Sequence, residues 1–279
     1  MQTAQAEKAS TGRILFRWVK ILIIVYCVLN FSIYFFQDYF LFHPTPLARN
    51  HKYDFSLPHT ELNIPYDDSS NLNLIQFTAE GPVKRGVILY FHGNKKNISW
   101  YAKHVPALTK WGYDVWMPDY PGFGKSTGRL TEQRLYGYAE QIYKLARVRY
   151  SSSQIIIYGK SMGTGIAGYV ASRNECRRLI LETPYYSMHS LMAHYFPVFA
   201  VSRLIHYRLP TYEYLTRVTV PVTIFHGTSD WVIPYSNAER LRTVLKPGDQ
   251  FITLPGGGHN DLNSFPLMQR TLDSLLSER

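Results

Sequence analysis

The chain has 279 residues, 46% of them hydrophobic and 18% charged, two cysteines and a formal net charge of +10. The length accommodates one large domain or two small ones, and the composition fits a well-packed globular protein with some membrane-like content. Cys27 lies inside an apolar run and Cys176 far from it, which excludes a disulfide framework or a cysteine metal site.

Part of the positive charge sits in the first 20 residues, where Lys8, Arg13, Arg17 and Lys20 outnumber Glu7. The rest is scattered as single Arg and Lys residues, either a solvated surface or one drawn to anionic lipid headgroups. No nucleic-acid motif accompanies it. From Ile21 to Gln37 no side chain is charged. With Val19 and a snorkelling Lys20, the run reaches the length needed to cross a bilayer as a helix. Tyr34, Phe35, Phe36, Tyr39 and Phe40 suit an aromatic belt at the far interface. A cleaved signal peptide would be followed by small residues, and bulky aromatics stand there instead. The expected organisation is therefore a tail over 1–18 and an uncleaved anchor over 19–42. Basic residues before the span place the N-terminus in the cytoplasm and the large domain on the periplasmic, lumenal or extracellular side.

Pro44, Pro46 and Pro58 mark 43–60 as an extended linker, ahead of a domain over 61–279. Partial alternation over Glu61 to Pro65 and Asn71 to Phe77, split by Asp67 to Ser70, predicts an antiparallel hairpin. Buried strands then alternate with helices. The predicted strands are Val87 to Phe91, Asp114 to Met117, Gln154 to Tyr158, Arg178 to Leu181, Val220 to Phe225 and Phe251 to Leu254. Helices are expected over Thr131 to Tyr150, Ala238 to Leu245 and Leu262 to Leu276. This rhythm predicts an α/β domain, a mostly parallel sheet covered on both faces, with ligands at the carboxyl ends of its strands. Residues 183–218 break the rhythm with an aromatic, apolar insertion, expected to be a short helical cap over the site.

The run Ile155-Ile156-Ile157 leads into Gly159, Ser161 and Gly163, a Gly-x-Ser-x-Gly pattern followed by a helix rich in small residues. A serine between a buried strand and a helix predicts a nucleophile elbow. Its strained backbone lifts the hydroxyl clear of the sheet, and strand and helix crowd where only glycine fits. A serine hydroxyl needs a base oriented by an acid, in the chain order Ser, Asp or Glu, His. Asp230 follows the Val220 to Phe225 strand, and His259 follows the last strand in a Gly-rich loop. The rival acids are Glu182, Asp119 and Asp261. Asp119 precedes the elbow, and Asp261 lies too near His259 in sequence to reach its outer nitrogen. His92 and His226, each before a glycine, are expected to brace loops. An oxyanion hole needs two backbone N–H donors, assigned to Met162 and to Asn94 in the loop after Phe91.

Gly124-Lys125-Ser126 and Gly159-Lys160-Ser161 echo a phosphate-binding loop, but the required earlier glycine is Asp119 in one and Gln154 in the other. No metal spacing is present, and the chemistry calls for no cofactor. Asn97-Ile98-Ser99 is a glycosylation sequon, relevant only in a secretory lumen.

His92-Gly93-Asn94, the Asp119 to Ser126 turn, Gly159-Lys160-Ser161-Met162-Gly163, His226 to Asp230 and Gly258-His259 together resemble the α/β-hydrolase superfamily. More closely they are similar to its membrane-anchored branch of BEM46-like, ABHD13-like and ABHD17-like serine hydrolases. The resemblance runs from about residue 60 to 279, with five motifs in the right order. It implies acyl transfer by a triad of Ser161, Asp230 and His259. The palmitoyl-thioesterase members carry an N-terminal cysteine cluster that this chain lacks, so depalmitoylation is not implied. The leading expectation is cleavage of an ester, thioester or amide in an acyl or lipid-like substrate. A peptidase of the aminopeptidase type and an inactive membrane-anchored scaffold are the alternatives.

Overall fold

The computed structural model describes residues 2–278, with side chains from Arg13 onward. Its centre is one eight-stranded sheet. The strands are β1 (His59–Asp67), β2 (Ser70–Phe77), β3 (Gly86–Phe91), β4 (Tyr113–Pro118), β5 (Ile155–Lys160), β6 (Arg178–Glu182), β7 (Val222–Gly227) and β8 (Gln250–Leu254). They lie in the order β8-β7-β6-β5-β3-β4-β2-β1. The β1–β2 hairpin is antiparallel, and so is the pairing of β2 with β4. All other neighbours are parallel.

Period-two alternation divides each central strand between two apolar layers. In β5, Ile155 and Ile157 join one layer, and Ile156 and Tyr158 the other. In β3, Val87, Leu89 and Phe91 face the first layer, and Ile88 and Tyr90 the second. Helix α1 (Gln2–Leu41) is the N-terminal helix. Helices α2 (Glu132–Arg147) and α3 (Gly163–Arg173) cover the first layer, and a C-terminal helix over Pro266–Ser277 covers the second. Burial on both faces explains why these strands read as unbroken apolar runs.

Two expected helices differ in detail. The one placed at Ala238 to Leu245 begins earlier, as an α-turn over Tyr235–Glu239, and tightens into a 3-10 helix over Arg240–Val244. The closing helix is split into a 3-10 turn at Leu262–Ser264 and a helix starting at Pro266. Proline lacks an N–H and pushes the preceding residue to extended backbone, here Phe265 at ψ 124°. The 183–218 insertion contains α4 (Met188–Tyr195), capped by Ser187 Oγ accepting from the Ser190 N–H, and short turns at Val201–Leu204 and Thr211–Leu215.

At the N-terminus α1 is continuous from Gln2 to Leu41, so residues 2–18 of the expected cytoplasmic tail are helical. Apart from Thr3, Ser10, Thr11 and Gly12, good helix formers such as Ala, Gln, Glu, Lys and Arg fill its early turns. The stretch Arg13–Leu41 is long and apolar enough to cross a membrane. Its 29 residues measure about 43 Å at 1.5 Å per residue, against a hydrocarbon core of about 30 Å. Leu22, Phe31 and Phe35 on this helix are all exposed in the absence of lipid.

The segment expected to be an extended linker is docked at its beginning, where it leaves α1. Leu41 and Phe42 belong to the core, and the Phe42 ring packs edge-on against Tyr207 at 4.7 Å between centroids. His43–Pro44 then pairs in parallel with Lys95–Lys96. The His43 N–H donates to Asn94 O and the Thr45 N–H to Lys96 O, while Thr45 O accepts from Gly124 N–H. Pro44 and Pro46 keep the chain extended, as predicted, and the extended chain finds a strand edge to lie on. Cys27 and Cys176 are both free thiols.

If the end of α1 is part of the folded unit, Phe42→Ala leaves a hole in the core. We expect a loss of roughly 3–5 kcal/mol of stability, read as a lowered thermal midpoint in detergent micelles. An unchanged midpoint would contradict a core role for Phe42.

Candidate active site

The elbow has the geometry its sequence demands. Ser161 sits at φ 52°, in the left-handed region, between the end of β5 and the start of α3. Such a backbone costs about 1–3 kcal/mol and persists only where its surroundings enforce it. The Ser161 N–H donates to Glu182 O on β6, and Ser161 O accepts from the Thr164 N–H and hydroxyl. The flanking glycines answer the crowding. A Cβ on Gly159 would lie 2.5 Å from Gly163 O, and one on Gly163 would lie 2.0 Å from Phe91 O.

The loops after β7 and β8 converge on this serine. His259 Nε2 is 2.9 Å from Ser161 Oγ, and His259 Nδ1 is 2.7 Å from Asp230 Oδ2. An ionised carboxylate can only accept, so Nδ1 carries the ring proton. Nε2 is then a lone-pair acceptor facing the serine hydroxyl. Asp230 Oδ1 accepts from the Val232 and Ile233 N–H groups, both at 2.8 Å. All three side chains are buried. Burial by itself would raise the Asp230 carboxyl. The hydrogen bond and charge of His259, the Ile233 N–H and His226 outweigh that effect and hold it below the usual carboxylate value.

The other candidates from sequence have other partners. Asp119 Oδ1 lies 3.1 Å from His92 Nε2 and accepts from the Ile98 N–H. The other nitrogen of His92 faces Gly93 O, so this histidine ties two loops together. His226 Nε2 donates to Ile233 O and steadies the loop carrying Asp230. Asp261 accepts from the Gly258 N–H and closes the turn before His259. Asn97 is buried, its side chain accepting from the Ser99 N–H and donating to Thr45 O, so the sequon has no free amide for a glycan in the folded domain.

Glu182 has a role that sequence reasoning did not find. It forms a buried ion pair with Lys160, the residue just before the serine, and accepts from Tyr158 Oη and Asn263 Nδ2. Burial would raise its carboxyl; the Lys160 charge, His104 and the hydrogen bonds from Lys160 and Tyr158 lower it overall. Lys160 Nζ also lies 3.4 Å from His259 O, linking the pair to the base-bearing loop. The available signal was a charged residue at the end of each of two adjacent parallel strands, which register pairs directly.

Met162 and Asn94 flank the serine, and neither N–H donates a hydrogen bond within the described residues. A Cβ on neighbouring Gly93 would sit 3.5 Å from Ser161 Cβ, so this loop passes directly beside the hydroxyl. The Asn94 side chain donates to Leu41 O at 2.6 Å, the last residue of α1. Beside Ser161 opens a cavity of about 290 Å³, walled by Phe40, Leu41, Met188, Leu191, Met192 and Tyr195. Two of those residues come from α1, which nothing in the sequence had tied to the site. Among the described residues no group of three or more His, Cys, Asp or Glu could hold a metal ion.

A family profile described as "Serine aminopeptidase, S33" matches residues 82–214. Alpha/beta hydrolase domain-containing protein 17C from Xenopus tropicalis is 30% identical over 210 residues, covering 72% of this chain and 64% of that protein. The human protein of the same name is also 30% identical over 210 residues, with 61% of its length covered. The chain thus spans less than two thirds of these relatives. Among solved structures, an esterase of Pyrococcus furiosus superposes with a TM-score of 0.64 at 16% identity, covering 85% of this chain and 96% of that one. A monoacylglycerol lipase of Paleococcus ferrophilus reaches 0.57 at 19% identity, with 74% and 98% covered.

The depressed Asp230 carboxyl sets an acid limit. Its folded value lies below the unfolded one, so its contribution to stability is present above about pH 3.9 and is lost as pH falls through the folded value. We expect the thermal midpoint to drop below about pH 4, and the drop to be shallower in Asp230→Asn. An identical acid limb in both proteins would contradict the assignment.

Proposed function

The chain belongs to the α/β-hydrolase family, and from that premise we propose that it is a membrane-anchored serine hydrolase acting on an acyl or lipid-like substrate. One observation carries the reading: the hydroxyl of a strained serine facing one nitrogen of an imidazole whose other nitrogen is held by a buried carboxylate.

In the proposed mechanism His259 Nε2 takes the proton of Ser161 as Oγ attacks the substrate carbonyl. Asp230 holds the ring in the productive tautomer and stabilises the imidazolium. The Met162 and Asn94 N–H groups receive the developing oxyanion. His259 then returns the proton to the leaving group, and water hydrolyses the acyl-enzyme by the same sequence in reverse order. A helix crossing the bilayer next to the domain, with its last residues in the cavity wall, favours a substrate with a hydrocarbon chain. The basic residues before that helix favour a cytoplasmic N-terminus and a non-cytoplasmic domain.

The family description names an aminopeptidase, which keeps amide cleavage as a second reading. Gripping a free amine takes an unpaired acid near the serine. Glu182 is paired with Lys160, and Glu213 accepts from Arg208 and Tyr212, so both of these acids are already engaged.

A fluorophosphonate probe is expected to label the wild-type protein and to leave Ser161→Ala unlabelled. Asp230→Asn should lower kcat by roughly 10³–10⁴ through loss of the tautomer. Nitrophenyl esters of graded chain length should be turned over faster than aminoacyl amides. Absence of labelling in folded wild-type protein would leave the inactive scaffold as the surviving reading.

A further inference from the structure

The cap carries an apolar surface that a water-facing protein would bury. From Tyr195 to Ser202 no residue is charged, with His194 before the stretch and Arg203 after it. Val198 is 72% exposed, and Trp231, on the loop after β7, is 78% exposed. Tyr195 and Phe196 are also exposed.

These side chains form a connected row leading to α1. Tyr195 Oη donates to Trp231 O at 2.8 Å. Phe196 packs edge-on against Phe199, which stacks on Tyr26 of the anchor with 5.4 Å between ring centroids. Tyr26 Oη donates to Val198 O. Further along the helix, Gln37 donates to Leu204 O and accepts from the His206 N–H, and Tyr34 meets the His206 ring edge-on. The cap thus lies alongside α1 from Tyr26 to Gln37, a distance of about 16 Å. Both contact points fall inside the apolar stretch Arg13–Leu41. The cavity is lined by residues of the same two elements, Phe40 and Tyr195 among them.

We propose that cap residues 195–202 and the Trp231 loop insert beside α1 into the same bilayer, so that the cavity mouth opens onto lipid and acyl chains enter sideways. This rests on the anchor reading above. Scattered exposed apolar residues need no explanation, but a contiguous patch continuous with a lipid-solvated helix has lipid as its fitting partner. Exposed aromatic rings suit the membrane interface, and Arg203 can reach from the patch to the headgroups.

The test uses the full chain in phosphatidylcholine vesicles with Cys27→Ser as background, since Cys176 is buried. An environment-sensitive NBD label is attached in turn at Val198→Cys, at Phe31→Cys on the anchor, and at Val148→Cys just beyond the far end of α2. Labels at 198 and 31 are expected to be quenched by doxyl lipids, and the label at 148 to remain in water. A label at 198 behaving like the one at 148, while 31 is quenched, overturns the inserted cap and leaves the anchor standing. No quenching at 31 overturns the anchor, and this proposal with it. As a second readout, Phe196→Glu combined with Val198→Glu should slow hydrolysis of a long-chain ester dissolved in the vesicle by about tenfold or more, with p-nitrophenyl acetate hydrolysis in water unchanged. An unchanged ratio of the two rates overturns sideways entry.

Discussion

The site depends on keeping one residue, Ser161, in a left-handed backbone at the end of a strand that would otherwise continue straight. The neighbouring strand β6 supplies much of the constraint. Its last residue, Glu182, accepts the Ser161 N–H with its carbonyl and pairs with Lys160 through its side chain. Register between β5 and β6 sets Lys160 opposite Glu182, so strand pairing and ion pairing reinforce each other. Removing one member of a buried ion pair typically costs about 3–5 kcal/mol, because the other charge is left uncompensated. A pair so placed resists slippage of the strand that carries the serine. Tyr158 and Asn263 complete its hydrogen bonds and connect it to the segment after His259.

A second dependence runs through Asn94. Its side chain holds Leu41 O, and its carbonyl accepts from the His43 N–H. The segment leaving the anchor therefore helps to shape the loop proposed to bind the oxyanion. Phe40 and Leu41 wall the cavity from the same side. Contacts between α1 and the rest of the chain begin at Tyr26, and the helix runs on into the cavity wall without slack chain between them.

The parts legible in the sequence were those fixed by local chemistry. Alternation over Ile155 to Ile157 and the spacing of Gly159, Ser161 and Gly163 describe a strand, a tight turn and a helix within ten residues. Asp230 and His259 could be chosen because each follows a strand in a fold whose loops gather at one edge. What escaped notice depends on contacts between distant segments. Glu182 looked like a rival acid because nothing in one dimension shows that Lys160 lies beside it. The stretch after residue 43 looked like a linker because its prolines predict extended backbone, and extended backbone does not reveal whether a partner strand awaits it. The break at Pro266 was local and could have been read from the rule for residues preceding proline.

The two sides of Ser161 differ in a way that bears on the proposed reaction. One side is the apolar cavity between α4 and the end of α1. The other is a smaller recess lined by Lys95, Trp100, Tyr101, His259 and Asn260. In a two-step acyl transfer the acyl group stays on the serine while the leaving group departs and water takes its place. A hydrocarbon chain gains about 0.8 kcal/mol for each buried CH₂, so it is held on the apolar side. In the proposed reaction the alcohol or amine, protonated by His259, leaves on the side of the recess that His259 lines. Water reaching the acyl-enzyme from that same recess arrives next to His259, the base that must activate it. In that reading the acyl chain and the leaving group occupy different spaces beside Ser161, and the base stands at the one that water must use.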